Sequence, residues 1–336
     1  MSQPLFGLYN ERMPKALLVY NPAAGRIPVR TFMPAVDREL AKAGWYVEVI
    51  ETRSGEHAVQ IAKQAATEGY DALFAVGGDG TIGQIASGLA GSDTALGVLP
   101  AGTANVWARE LGLTSFSLSH WWTLRENAAT LAIAPVCKVD MGLCNGHPFL
   151  MWAGMGLDAL AVRTLEPRER IEKFFAVPEF AASTIWNASQ WRGIQLRLWV
   201  DGKEVEGHFI LAVVNNIRHY MGGLANLSPE AFLDDGLFDL WLFTGSNLAD
   251  AFRHAFDLWQ GRHVTSDAAR RIPFHTLRME ADTSFAVQMD GEPMFDTLKA
   301  EITVEPQALH VLIPPKALEL FRNPPVKATF HSPTQG

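Results

Sequence analysis

Hydrophobic and polar positions change rhythm once along this chain, near residue 135, and the two rhythms predict two kinds of layer. From Lys15 onward, short apolar runs alternate with amphipathic ones. "ALLVYN" (16–21) reads as a buried strand, "VRTFMPAVDRELAKAG" (29–44) as a helix closed by Gly44, and "WYVEVIET" (45–52) as the next strand. The alternation continues through a helix over 56–68, a strand over 71–78, a helix over 81–90, a strand over 95–100 and a helix over 104–111. Elements alternating at this length imply a doubly wound parallel sheet, whose ligands bind beyond the carboxyl ends of its strands. Past residue 135, Asn145-Gly146 and Asp201-Gly202 each separate two apolar stretches, which is a hairpin signal. Further strand-like runs fall at 237–243, 274–280, 284–290, 301–304 and 308–313. The reading is therefore an α/β domain over 1–135 and a mainly antiparallel β domain over 136–313. The second domain carries a helical insertion at 168–191 and a helix over 247–260. The tail, 314–336, is rich in Pro, Lys and Ser and is either loosely held or packed back on the first domain.

Three polar, glycine-bearing loops fall at the carboxyl ends of the predicted parallel strands: "NPAAGR" (21–26), "GGDGT" (77–81) and "PAGTAN" (100–105). A strand that ends in glycines and feeds a helix gathers unpaired backbone N–H groups at the positive end of the helix dipole, which is a phosphate cradle. Gly77, Gly78 and Gly80 let the main chain approach phosphate oxygens, and Thr81 adds a hydroxyl. Asp79 would repel a bare phosphate, so it makes sense with a cation present or with a proton to accept. A bare "GDG" would read as a tight turn with a helix cap; two companion loops in matching positions favour the phosphate reading. Neither G-x-x-x-x-G-K-[ST] nor a G-x-G-x-x-G between the first strand and its helix is present, which argues against a P-loop NTPase and an ordinary dehydrogenase.

Composition narrows the ligand. The chain has 336 residues, 48% hydrophobic and 19% charged, enough for two cores. Its 28 Lys and Arg against 36 Asp and Glu, a net charge of -8, speak against a general nucleic-acid binder. Cys137 and Cys144 lack metal-ligand spacing and read as free thiols of a reducing compartment, so the expected location is cytoplasmic. The first twenty residues do not read as a secretory signal, and no apolar run reaches the roughly 20 residues of a spanning helix, so any membrane contact is peripheral. The ten histidines form no H-E-x-x-H, and no G-x-S-x-G elbow occurs.

"NPAAGR", "VGGDGTIGQI" and "GVLPAGTANVWARELGL", in this order and spacing, resemble the diacylglycerol kinase catalytic-domain family, which includes bacterial lipid kinases and the sphingosine and ceramide kinases. "LDDGLFDL" (233–240) and "VQMDGEPM" (287–294) extend the likeness to residues 15–313. The resemblance implies an α/β nucleotide-binding domain, a β-sandwich domain and an active site in the cleft between them. It implies ATP and Mg2+ as cofactors. Asn21, Pro22, Gly25, Gly77, Gly78, Asp79, Gly80, Thr81, Gly102, Thr103 and Asn105 would hold the nucleotide. It also implies a structural Mg2+ on Asp235, with the carbonyls of Phe232 and Leu237 as candidate donors. Glu292 becomes the candidate general base and Asp290 its neighbour, while Asp79 competes for the base role or serves the Mg-nucleotide. Standing alone, "DDG" and "DGE" would be β-turns. Three positions depart from the family pattern: Gly83 and Gln84 stand where Asn-Glu is common, and Val106 where many members have Asp.

The implied function is transfer of the γ-phosphate of ATP to a hydroxyl of a lipid, such as diacylglycerol or a sphingoid base. The alternatives are an NAD kinase, disfavoured because the chain runs directly to "LGVLPAGTAN", and a catalytically silent nucleotide- or lipid-binding regulatory protein, suggested by the three departures. The aromatics of 168–191 suit a lipid site or a membrane interface, although the pattern by itself fits packing on the sandwich better. "HWW" (120–122) likewise reads as core. Peripheral contact with the inner membrane face and a homodimer are both compatible with this reading.

Overall fold

The computed structural model describes residues 12–324 apart from 26, 118, 158 and 160–191. The insertion expected at 168–191 and the end of the tail, 325–336, lie outside the described residues.

Four parallel strands form the first layer: β1 (Lys15–Tyr20), β2 (Tyr46–Glu51), β3 (Ala72–Gly77) and β4 (Ala95–Pro100), in the order β4-β3-β1-β2. Every residue of β3 and β4 is buried, as expected of parallel strands covered on both faces. The helices are α1 (Met33–Lys42), α2 (Gly55–Thr67), α3 (Asp79–Leu89), α4 (Val106–Glu110) and α5 (Thr123–Ala132). α1 packs with α5, and α2 with α3. One pair lies on each face, which is what right-handed crossovers running both ways from β1 require.

The second rhythm becomes an antiparallel sandwich: β5 (Val136–Cys144), β6 (His147–Phe149), β7 (Trp152–Gly156), β8 (Ile194–Val200), β9 (Lys203–Asn215), β10 (His219–Tyr220), β11 (Ala225–Asn226), β12 (Phe238–Thr244), β13 (Ala269–Phe274), β14 (Thr276–Met289) and β15 (Glu292–Leu312). Helix α6 spans Leu248–Trp259. Asn145-Gly146, Asp201-Gly202 and Asp290-Gly291 all turn with positive φ at both residues, the backbone of a two-residue hairpin whose twist matches its strands. A second core, built on Phe149, Leu198, Phe238, Phe285 and Ile302, fills the sandwich.

β15 ties the two layers together. Its first half pairs with β14, its second half with β5, and at Val311 it lies parallel to Leu96 of β4. The sheet is thus continuous through both halves of the chain. The late apolar runs that read as separate strands are pieces of β14 and β15. The apparent breaks are register shifts between Glu280 and Phe285 and between Glu305 and Leu309, where the alternation of faces resets. At the second shift Gln307 adopts φ 52°, and its N–H donates to Asp140 Oδ1 at 2.7 Å. The fully buried Asp140 also accepts from Gly236 at 2.6 Å, so one carboxylate on β5 fastens both the β15 bulge and the D-D-G turn. Burial pushes its pKa up to about 6 against those two N–H groups.

Helix α5, strand β13 and the short β10–β11 hairpin are not legible in the pattern. "HWW" is corrected: Trp121 and Trp122 are 57% and 40% exposed, at the turn that opens α5, with their rings edge-to-face at 6.0 Å. The described part of the tail folds as a short 3-10 turn (Pro315–Leu320) that buries Ala317 and Leu320. It touches the first layer, where Lys316 lies beside Gly112, and the second, where Leu320 accepts the Leu233 N–H. Both cysteines are buried free thiols.

Candidate active site

The three glycine loops meet at the carboxyl ends of β1, β3 and β4, and they meet backbone to backbone. A Cβ on Gly102 would lie 2.4 Å from the Gly78 Cα, and one on Gly25 would lie 2.3 Å from the Ala101 carbonyl oxygen. No side chain fits at either place, which is the physical reason for glycine there. Side chains then lock the loops. Asn21 Nδ2 donates to Thr81 Oγ1 at 2.9 Å, tying the first loop to the second. Asn105 stands at φ 51°; its Oδ1 accepts the Gly102 N–H and its Nδ2 donates to Gly102 O and Ser115 Oγ, which closes the third.

α3 begins at Asp79, and its first intrahelical bond is Ile82 N–H to Gly78 O at 3.0 Å. The N–H groups of Gly80 and Thr81 precede it and point out of the helix start, where the dipole favours an anion. They border a cavity of about 370 Å³ lined by Asn21, Gly25, Gly78, Gly80, Thr81, Gly102 and Glu292. Thr52, Arg53, Ser54, Gly55 and Gln84 line it too. The 52–55 loop escaped the sequence reading because it lacks a glycine cluster. Its place at the carboxyl end of β2 was the available signal, together with Ser54, whose Oγ caps α2 by accepting the His57 N–H.

Glu292 opens β15 and reaches across from the second layer: its Oε1 lies 3.0 Å from where a Gly80 Cβ would stand. The exposed Glu292 carboxylate and the start of α3 therefore face each other over the cavity. Asp79 Oδ1 accepts the Trp107 N–H at 3.2 Å, at the start of α4, and burial raises its pKa against those backbone donors. Asp290 is placed differently from Glu292. Its carboxylate is buried and accepts three N–H groups, from Leu150 at 2.8 Å, Met151 at 2.7 Å and Trp152 at 3.1 Å. Burial pushes its pKa up to about 6, those donors oppose the shift, and the Asp79 charge adds to it. Asp290 is thus a positioning residue that fixes the hairpin carrying Glu292 to the start of β7.

Asp235 lies away from this cavity. Its Oδ1 accepts the Leu237 N–H at 3.0 Å and its Oδ2 pairs with the Arg322 guanidinium at 3.1 Å. Arg322 also stacks over the Phe232 ring, 4.9 Å from its centroid. Among the described residues no group of three or more His, Cys, Asp or Glu is arranged to hold a metal ion. Both Asp235 oxygens already have donors, so this donor set does not fit a divalent ion.

Comparison with known proteins agrees with this fold. Residues 15–138 match the diacylglycerol kinase catalytic domain, and residues 152–313 match the YegS C-terminal NAD kinase beta sandwich-like domain. The chain is 28% identical over 310 residues to a diacylglycerol kinase of Bacillus subtilis (strain 168), covering 91% of this chain and 99% of that one. It is 27% identical over 280 residues to a diacylglycerol kinase of Staphylococcus aureus (strain MRSA252), covering 83% and 86%. A crystal structure of a diacylglycerol kinase from Bacillus anthracis str. Sterne superposes with a TM-score of 0.71 at 24% identity, over 90% of this chain and 97% of that one, and shares its fold.

Two outcomes are expected. Gly102→Ala forces the second and third loops apart and should weaken nucleotide binding by about tenfold or more in calorimetric titration; unchanged affinity would show that the loop contact is dispensable. The second concerns pH. The Asp290 pKa lies above its ordinary 3.8, so its contribution to stability is full below about pH 4 and is lost as pH rises through about 6. Asp290→Asn cannot titrate, so urea midpoints measured from pH 4 to 7 should fall less for the variant than for the wild type. Asp140, Asp79 and Asp235, shifted the same way, contribute to the remaining slope.

Proposed function

Since the chain belongs to the diacylglycerol kinase catalytic-domain family, we propose that the cavity between its layers binds ATP and transfers the γ-phosphate to a hydroxyl of a lipid. The observation that carries this reading is the placement of Glu292 opposite the Gly80 end of α3. A terminal phosphate cradled by the Gly80 and Thr81 N–H groups would lie beside that carboxylate. An acceptor oxygen arriving from the β14–β15 side then forms a bond to the γ-phosphorus while the bond to the β-bridging oxygen breaks. The hydroxyl proton passes to Glu292, and ADP leaves. A divalent ion arriving with the nucleotide would offset the charge of its phosphates. Glu292 is the acidic side chain on the cavity wall, while Asp79 is turned to the start of α4.

Two further features support a lipid acceptor. A smaller cavity of about 130 Å³ follows Glu292 directly, lined by Ala286, Val287, Pro293, Met294, Phe295 and Asp296. On α6, Phe252, Phe256 and Trp259 are 61%, 51% and 66% exposed at helical spacing, an unusual aromatic stripe for a soluble surface. α6 packs against β11, beside Leu224, which is 74% exposed, in a hairpin that lies against α4. No described helix is long and apolar enough to cross a membrane. A double-chain lipid stays in its bilayer, so the stripe is the surface we assign to the bilayer interface, where Trp and Phe partition well.

With ATP labelled on its γ-phosphate and a panel of lipids plus NAD, label should enter the organic phase. Glu292→Gln, an exposed substitution, should reduce kcat by roughly 100- to 10,000-fold with Tm unchanged. Label only in NADP would favour the NAD kinase alternative, and nucleotide binding without product a silent binder. In vesicle sedimentation, Phe256→Ser with Trp259→Ser should lose most of the bound fraction. If the double variant instead changes the oligomeric state, the stripe is a subunit interface.

A further inference from the structure

The carboxylates around the D-D-G turn are unusually well supplied with donors from the chain itself. Asp140 accepts from Gly236 at 2.6 Å and Gln307 at 2.7 Å. Asp234 accepts the backbone N–H of Arg322 at 2.7 Å and of Asn323 at 3.0 Å. Asp235 accepts from Leu237 at 3.0 Å and pairs with the Arg322 guanidinium at 3.1 Å. Each of these six oxygens has a donor on it. The same residue, Arg322, caps Asp234 with its main chain and neutralises Asp235 with its side chain. The centre of its guanidinium stands 4.9 Å from the Phe232 ring centroid, a cation–π contact. Arg322 therefore occupies Asp235, the carboxylate on which the family resemblance places a structural divalent ion, and covers the ring of Phe232 beside it.

The geometry points to Arg322 as the built-in counter-ion of this turn: its guanidinium supplies the positive charge for Asp235, and the turn folds without a divalent cation. Mg2+ requires about six oxygens at about 2.0–2.1 Å in near-octahedral array, and it dehydrates reluctantly. A carboxylate oxygen facing a guanidinium, with its sister oxygen accepting an N–H, offers no such set, and two cations at one carboxylate would repel each other. The arrangement also gives the tail a task. The anchor that begins at Pro315 ends by placing its charge on the second layer's acidic turn. Arg322 is 54% exposed along its side chain, so truncating it opens Asp235 to solvent and to ions without carving a cavity in the core.

The inference is independent of the phosphotransferase reading, because its test uses the full chain without nucleotide. Thermal unfolding is compared in excess EDTA and in millimolar Mg2+ for the wild type, Arg322→Gln, Arg322→Lys and the double variant Asp235→Asn with Arg322→Gln. The wild type and Arg322→Lys should be indifferent to the ion. Arg322→Gln should lose about 3 °C or more in EDTA and recover in Mg2+, and the double variant should show no Mg2+ response. Electron paramagnetic titration with Mn2+ provides a readout that does not depend on how stable the variants are. The nucleotide-free wild type should show no tight Mn2+ site that Asp235→Asn abolishes, and Arg322→Gln should gain one. A wild-type Tm that falls in EDTA, a wild-type Mn2+ site lost in Asp235→Asn, or an Arg322→Gln variant that ignores the ion would each overturn the assignment.

Discussion

Everything at the candidate site depends on two main chains touching where no side chain can intervene. Gly78 and Gly102 meet at their Cα atoms, and Gly25 abuts the Ala101 carbonyl. Because of those contacts three loops from three different strands form one floor, and the start of α3 lies in the middle of it. A side chain at any of these points would separate the loops by at least its own thickness, and the cavity would lose either its polar wall or its helix end. The Asn21–Thr81 bond and the Asn105 closure then hold a surface that the glycines have made possible. Family likeness and steric need point at the same residues because the chemistry requires close approach and little else.

The second layer enters the site through a single hairpin, and its position is set by Asp290. Three N–H groups from the start of β7 converge on that carboxylate, so the turn at Asp290-Gly291 cannot rotate without abandoning them. Glu292 follows two residues later and is thereby aimed at Gly80. This arrangement gives Gly83 a role: a Cβ there would stand 3.2 Å from Asp290 Oδ2. Gly83 thus lets α3 lie close to the buried carboxylate. Gln84 lies against Gly55 on the cavity wall, so two of the three departures from the family pattern serve packing around the site.

The local parts of this protein were legible in its sequence and the distant parts were not. Glycine loops, Asn-Gly and Asp-Gly turns and the periodicity of β1 to β4 are written within a few residues of where they act. β14 and β15 were misread as short runs because a bulge interrupts alternation without ending a strand. The exposed Trp121 and Trp122 defeated the assumption that tryptophan pairs are core. The 52–55 loop has no glycine cluster to announce it. Asp140, Asp290 and Arg322 carry roles defined by partners 88 to 167 residues away in the case of the tail and bulge contacts, and no pattern within a window could reveal them.

Two acidic places in one chain solve the same electrostatic problem in opposite ways. Around the D-D-G turn the negative charge belongs to the fold itself, so a cation on the chain answers it, with N–H donors on the remaining oxygens. At the cavity the Glu292 carboxylate is left facing the place where phosphates would add more negative charge. Arg53 is exposed on the cavity wall but lies at its 52–55 side. A like-charge arrangement of this kind is unfavourable until a cation arrives, and a nucleotide that brings its own divalent ion supplies that cation only when substrate is present. The same acidity that makes an empty site a poor binder of bare phosphate would thereby favour the metal-bound triphosphate over the free anion.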